Sequence, residues 1–176
     1  MQFLVPALWQ WRYSEQDPGN KGWTQSLPYW TSYTTGGFPS VSSTRYYATL
    51  VTVTEQYKTM PIWEVDVFSK GGFILYINGQ EVIRRNLPAA GVTHQTRATA
   101  RYDALIWRRT AVPTSMLQNG RNVLAVELHR FGDAAIAFDV FGSLLSGECM
   151  KRTDRGRGSD SEHTPSEKYG PANAFD

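Results

Sequence analysis

The segment from Gly71 to Arg85, GGFILYINGQEVIRR, places the dipeptide Asn78-Gly79 between two runs of β-forming residues. Both central residues of a type I′ turn need a positive φ, and Asn-Gly between apolar runs is the strongest short-range signal for such a turn. The segment therefore predicts a β-hairpin, with strands at residues 73–77 and 81–84. This hairpin is the first indication that the chain folds into β-sheets.

Two further segments alternate in the way that half-buried strands do. In residues 60–69, Trp63, Val65 and Val67 share one face, and acidic residues occupy the other. In residues 123–130, the leucines and valines alternate with Ala125, Glu127 and His129. Additional strands are predicted at residues 8–13, 45–54, 106–109 and 134–145, a single helical turn at 113–117, and mostly loop at 89–105.

About seven or eight short strands with almost no helix are typical of a sandwich or barrel. The sequence thus predicts an all-β fold with very little helix. We place this domain at residues 1–148, followed at residues 149–176 by a polar linker and the start of a further module.

Composition and charge exclude several classes of protein. The net charge of the 176-residue chain is only +2, which gives no basic footprint for nucleic acid. The sequence has no apolar run of about 18 residues, so we expect no membrane-spanning helix and no direct membrane insertion. The single cysteine, Cys149, forms no disulfide within the chain and is either a free thiol or paired to a partner.

Several motifs resemble the galactose-binding-like jelly-roll domains, as found in the sugar-binding domains of β-galactosidase-like hydrolases and in accessory modules of surface proteins. Phe73–Asn86, FILYINGQEVIRRN, resembles the NG hairpin of that family, and Leu117–Arg130, LQNGRNVLAVELHR, resembles its "L..G.NvLAVevH" strand. Phe138-Asp139 and the Trp-rich stretch from Trp23 to Trp30 are similar to further family features. The resemblance covers about residues 8–145. It implies a two-sheet antiparallel sandwich of jelly-roll type, with loops that in this family often hold calcium.

The last nine residues carry a second resemblance. Lys168–Asp176, KYGPANAFD, is similar to the opening of discoidin domains, the C-type domains of coagulation factors 5 and 8. This likeness implies that the chain is part of a longer, multidomain polypeptide.

Catalytic patterns are weak. Glu127 and His129 alternate on one strand and face the same way, but the resembling family carries this Glu-x-His pair in its sheet without catalysis. The carboxylates Glu64, Asp66, Glu127 and Asp139 lie on strands, and nothing in the sequence brings two of them about 5 to 10 Å apart across a cleft, as a glycosidase needs. The histidines have no metal-ligand spacing, and no nucleophile elbow or phosphate loop occurs. We expect no enzyme activity and no cofactor, with a structural calcium left open.

Aromatic residues are the best candidates for binding, because Trp and Tyr offer flat apolar faces that stack on sugar rings or anchor protein interfaces. The alternative is that they plug the ends of the sandwich. The predicted ligand-binding residues are Trp9, Trp11, Tyr13, Trp23, Trp30, Glu127 and His129.

These observations favour a non-catalytic binding or scaffolding module of a larger extracellular or cell-surface protein, with carbohydrate or a neighbouring protein as its partner. Two alternatives remain open. One is a purely structural contact between subunits without sugar binding, and the other is an accessory domain of a glycoside hydrolase whose catalytic domain lies outside this chain.

Overall fold

The structure is a computed structural model of the chain. It describes residues 2–5, 10–34, 42–100, 107–132 and 138–145. The predicted linker and module start at residues 149–176 lie outside the described residues, as do Trp9 and Cys149. The domain boundary therefore stays a prediction.

The described residues are mostly strands, with one four-residue helix and two 3₁₀ turns. The strands are β1 (Gln2–Val5), β2 (Gln10–Ser14), β3 (Thr31–Thr34), β4 (Thr44–Val53), β5 (Ile62–Ser69), β6 (Gly72–Ile77), β7 (Gln80–Arg85), β8 (Trp107–Pro113), β9 (Gly120–His129) and β10 (Phe138–Leu145). Helix α1 spans Glu55–Lys58, and the 3₁₀ turns span Lys21–Thr24 and Thr114–Met116.

The strands form two antiparallel sheets. One has four strands in the order β1-β10-β5-β8, and the other has six in the order β3-β2-β4-β9-β6-β7. This arrangement confirms the predicted all-β sandwich with very little helix. The finer assignment to the galactose-binding-like jelly rolls stays a prediction.

The core lies between the two sheets and consists of the apolar faces that alternation predicted. Strand β5 contributes Trp63, Val65 and Val67, each 0% exposed. Alternate residues of β9 face them from the six-stranded sheet, so that Leu124, Val126 and Leu128 are equally buried. Burying an apolar side chain of this size stabilises a fold by about 1.5–3 kcal/mol, which makes this layer the main source of stability.

The predicted hairpin is present, and its turn has the expected backbone. Asn78 has a φ of 50° and Gly79 a φ of 86°, as a type I′ turn requires. The Asn78 side chain also ties the turn to β9, because its Oδ1 accepts from the Val123 amide at 2.9 Å and its Nδ2 donates to Asn122 Oδ1 at 2.8 Å. A side chain at Gly79 would meet Gln25, whose Cγ lies 2.6 Å from the position of a Cβ.

The outer face of the six-stranded sheet is covered as well. Two segments, residues 15–30 and 86–99, lie over it and are called here the first and second covering loops. A second apolar cluster joins the first loop to the sheet, with Trp23 packed against Tyr46, Ile74 and Tyr76. The candidate site lies in this layer.

No helix in the described part of the chain is long and apolar enough to cross a membrane.

Candidate functional site

Strand β9 brings Glu127 and His129 to the outer face of the six-stranded sheet, since Leu128, the residue between them, points into the core. Both side chains are nevertheless buried, with relative exposures of 2% and 0%, because the covering loops lie on top of them. The sequence placed this pair on one face of a strand, and the structure confirms that they lie side by side. His129 Nε2 is 3.2 Å from Glu127 Oε1.

The Glu127 carboxylate is surrounded by donors. Lys21, from the first covering loop, donates its Nζ to Oε2, and the Tyr76 hydroxyl donates to the same oxygen at 2.9 Å. Lys21 Nζ also donates to the Tyr76 oxygen at 3.0 Å. A lysine from a loop, a tyrosine from β6 and a histidine from β9 thus converge on one buried carboxylate.

These contacts decide the protonation of the carboxylate. Burial alone would raise the pKa of Glu127, but the interactions with His129 and with the Lys21 ammonium outweigh it and lower the pKa to about 2. The carboxylate is therefore ionised at neutral pH. Its charge acts in turn on the neighbouring phenols: burial raises the pKa of Tyr76 and of Tyr46, and the negative charge of Glu127 raises both further.

His129 fastens the second covering loop to the sheet. Its Nδ1 lies 2.7 Å from the carbonyl oxygen of Thr96 and 2.9 Å from Thr44 Oγ1. A carbonyl can only accept, so Nδ1 carries a proton and donates to Thr96. Thr44 in turn donates its hydroxyl to the carbonyl of His94 at 2.6 Å, which adds a second attachment for the same loop.

Aromatic rings form the other half of the site. Trp23 meets Tyr46 and Tyr76 edge-on, with centroid distances of 5.2 Å and 5.9 Å, and meets Trp30 in a tilted contact at 5.5 Å. Such edge-to-face geometry is the arrangement that aromatic quadrupoles favour. Tyr46 also stacks on His94, whose ring is inclined by only 18° at 5.8 Å, and the two share a hydrogen bond of 3.0 Å between the hydroxyl and Nδ1.

A pocket opens between the two covering loops, with a volume of about 260 Å³. Glu127 lies at its sheet side, and the first loop contributes Asp17, Asn20 and Lys21. The Tyr46–His94 pair and Trp23 complete the walls. Lys21 is half exposed at this position, so the pocket connects solvent with the buried carboxylate.

The structure brings together four of the predicted ligand-binding residues and separates two others from them. Trp23 and Trp30 of the first covering loop, and Glu127 and His129 of β9, all belong to the layer between the covering loops and the sheet. Trp11 and Tyr13, on β2, point to the opposite side of the sheet, where Trp11 is 1% exposed in the core and Tyr13 packs against it. A ligand would reach Trp11 only if the sandwich opened. Trp9 lies outside the described residues.

Sequence patterns did not single out four residues of the site, namely Lys21, Tyr46, Tyr76 and His94. Alternation would have placed Tyr46 and Tyr76 on the non-core faces of their strands, but it could not show that β4 and β6 flank β9. Lys21 and His94 lie on loops, whose positions no periodic signal encodes.

The other carboxylates considered for catalysis lie elsewhere. Glu64 and Asp66 are on β5 in the four-stranded sheet, where Arg109 pairs with both at 3.2 Å and 3.0 Å. The Asp139 side chain lies outside the described residues. Within the described ranges, no cluster of three or more His, Cys, Asp or Glu residues could hold a metal ion.

No known family model matches this sequence, and no curated protein matches it either. Solved structures do resemble its fold. A crystal structure of the β-glucuronidase from Ruminococcus gnavus matches with a TM-score of 0.51 at 12% identity, over 81% of this chain and 28% of that one. The complex of that enzyme with D-glucuronic acid gives a TM-score of 0.52 at 13% identity, over 81% of this chain and 29% of the other.

This likeness concerns the fold alone, since the identity is so low. The chain spans less than a third of the length of the β-glucuronidase chains it matches. The likeness supports a β-sandwich fold, and the structures that it matches are those of a β-glucuronidase.

Proposed function

We propose that this chain is a non-catalytic β-sandwich module of a larger protein of the glycoside hydrolase kind, where it contacts carbohydrate or a neighbouring protein domain. The fold likeness supports this proposal, because it relates the chain to under a third of a β-glucuronidase. An extracellular or cell-surface location belongs to the same proposal. The two remaining thirds of such a protein would hold the catalytic groups.

One observation carries the non-catalytic part of the proposal: the best acid–base candidate is fully engaged in holding the loops. Glu127 is buried, ionised and bonded to Lys21 and Tyr76. A general acid in a glycosidase needs a raised pKa so that it holds a proton near neutral pH. The lowered pKa of Glu127 is the opposite of that requirement.

The arrangement of the other carboxylates also supports it. Glu64 and Asp66 lie on the four-stranded sheet, and both are paired with Arg109. They are on the other sheet from Glu127, so the three do not face one another across a single cleft. A pair of carboxylates on opposite sides of a bound sugar is the minimum for most glycosidases.

A purely structural role has less support. An assembly contact of that kind would show as a contiguous apolar patch of several hundred Å². Among the residues that the structure describes, the exposed large hydrophobic side chains are Tyr29, beside β3, and Ile62, on the four-stranded sheet. Two single residues, one in the first covering loop and one on the four-stranded sheet, do not make such a patch.

The catalytic question is settled by assaying the purified chain with a panel of 4-nitrophenyl glycosides, including the glucuronide and the galactoside. We expect no release of nitrophenol above the rate in buffer. Turnover that disappears in Glu127→Gln would contradict the proposal, because it would make this carboxylate a catalytic group.

The accessory role is tested separately on the native protein. An antibody raised against this chain should detect a polypeptide well above 19.9 kDa that hydrolyses glycosides after immunoprecipitation. A native product of about the size of this chain, with no associated hydrolase activity, would contradict the accessory role.

A further inference from the structure

From the pocket between the covering loops we infer a binding site for one neutral sugar residue, held by Asp17, Asn20, Lys21 and His94. The inference rests on the proposed function and adds to it a ligand class and a place. The contacts inside the sheet layer already explain the fold of this region, whereas the groups on the rim of the pocket have bonding capacity left over.

The charge of the pocket argues against an anionic ligand. Lys21 is the positive group, and its Nζ is already bonded to the Glu127 carboxylate. Asp17 adds a second negative charge at the rim. Two carboxylates and one lysine leave one net negative charge, so an anion is repelled. A hydroxylated molecule without charge is not repelled, and it can use both the lysine and the carboxylate as hydrogen-bond partners.

Unused hydrogen-bonding groups of both kinds line the pocket. Lys21 has a third proton beyond those given to Glu127 and Tyr76. Asn20 and Asp17 each accept one backbone amide through Oδ1, which leaves the Asn20 amide nitrogen and the second Asp17 oxygen without a partner in the described part of the chain. Each sugar hydroxyl can both donate and accept hydrogen bonds, so a sugar suits a pocket whose walls carry donors as well as acceptors.

His94 supplies a directed donor. When its Nδ1 accepts the proton of the Tyr46 hydroxyl, Nε2 is the ring nitrogen that carries a proton and can donate. Among the described residues, Nε2 has no hydrogen-bond partner, while stacking on Tyr46 fixes the plane of the ring. A donor held in one orientation is what a site needs to select one hydroxyl position over another.

Size and apolar surface limit the ligand to a single residue. Pockets for drug-sized molecules usually occupy about 300–1,000 Å³, and this one has about 260 Å³. Trp23, Val92 and Pro18 give part of the lining an apolar character, which suits the C–H face of a pyranose ring. A terminal or isolated sugar fits, and a longer glycan would extend out of the pocket into solvent.

The test is an NMR titration of the ¹⁵N-labelled chain with the methyl pyranosides of glucose, galactose and mannose and with N-acetylglucosamine. We expect saturable shifts for at least one of them, confined to backbone amides of residues 17–24 and 92–96. Glucuronate, which carries a negative charge, should bind more weakly than the methyl glucoside. Tighter binding of glucuronate, or no saturable shift with any neutral sugar, would overturn the inference.

Two variants locate the site. Val92→Trp fills the pocket and should weaken binding at least about tenfold, which is a change of 1.4 kcal/mol. Ala111→Trp adds the same ring to an exposed position on the four-stranded sheet and should leave binding unchanged. If Val92→Trp does not fold, Asp17→Asn replaces it, since it converts the unused acceptor into a donor and should also weaken binding. Wild-type affinity in the folded pocket variant would overturn the inference.

The outcomes of this test and of the earlier one are separate. Sugar binding without glycoside turnover supports both proposals, and turnover would contradict the non-catalytic role whatever the titration shows. Absence of binding together with absence of turnover would remove only the pocket inference.

Discussion

The two faces of the six-stranded sheet are formed by the same strands but make different kinds of contact. Towards the core, β9 presents Leu124 and Val126, which pack against the four-stranded sheet. Away from the core, the same strand presents Glu127 and His129, which bond to the covering loops. The comparison shows that a buried position alone does not define a core: one buried face joins the sheets, and the other holds loops in place.

The two faces also differ in how specific their contacts are. Apolar packing is non-directional and depends mainly on the area removed from water. The outer layer depends on individual donors aimed at one carboxylate, where each lost partner leaves a buried polar group unsatisfied. We expect the inner face to control whether the chain folds and the outer face to control whether the loops are ordered.

The largest effect should come from the inner face. Leu124→Ala leaves a cavity in a position with no exposure and should lower the free energy of unfolding by about 2–5 kcal/mol. Urea denaturation monitored by tryptophan fluorescence measures the change. Arg121→Ala, at an exposed position of the same strand, is the control and should change stability by less than about 0.5 kcal/mol. Equal losses in the two variants would remove the distinction between the faces.

The second effect is a pH dependence that belongs to the outer face. The pKa of Glu127 is lowered from 4.5 to about 2 on folding, so its contribution is fully present above pH 4.5 and is lost as the pH falls towards 2. The loss should be on the order of 3 kcal/mol over that window. Glu127→Gln keeps the shape of the side chain but does not titrate there.

Urea denaturation of both proteins at pH values from about 6 down to about 2, the range in which carboxyl groups titrate, measures this difference. The stability of the wild type should fall more steeply than that of Glu127→Gln as the pH decreases. Parallel curves for the two proteins would mean that the network around Glu127 contributes nothing to folding.

The smallest effect is a difference in stability between two variants, each of which lacks the hydroxyl of one buried tyrosine in the outer layer. Tyr76→Phe removes a hydroxyl that donates to an ionised carboxylate, and hydrogen bonds to charged groups contribute about 1.5–3 kcal/mol. Tyr46→Phe removes a hydroxyl that bonds to a histidine ring and should cost about 1 kcal/mol or less, since no carboxylate takes part in that bond.

Thermal unfolding of the two Tyr→Phe variants at pH 7 provides the comparison, and both rings remain in place in the variants. A larger loss in Tyr46→Phe than in Tyr76→Phe would show that the carboxylate does not dominate this layer.

Much of the fold could be predicted because it is encoded locally. Alternation identified β5 and β9 and their core faces, and the Asn78-Gly79 dipeptide identified the hairpin together with its turn type. Strands β1 and β3 were not predicted, because both are only four residues long and lie next to segments rich in turn residues. Helix α1, also four residues long, was missed for the same reason.

The site could be predicted only in part. Trp23, Trp30, Glu127 and His129 were candidates from residue type, and the structure places them in one layer. Which side of the sheet Trp11 faces depends on the pairing of β2 with β4, which is a long-range contact without a local signal. For the same reason Lys21 could not be recognised as the partner of a glutamate 106 positions further along the chain.

The order of the strands has a consequence for how the protein is made. Strand β9 lies between β4 and β6, although it follows both in the sequence, and β10 joins β1 to β5 in the same way. During synthesis, β4 and β6 therefore emerge before β9. Each of them has an edge that stays unpaired until β9 has been synthesised. Exposed edges of that kind invite pairing with other chains, and non-local pairing is slow to form. The sandwich closes late, so a chaperone that shields these edges until residue 145 has emerged would raise the yield of folded protein.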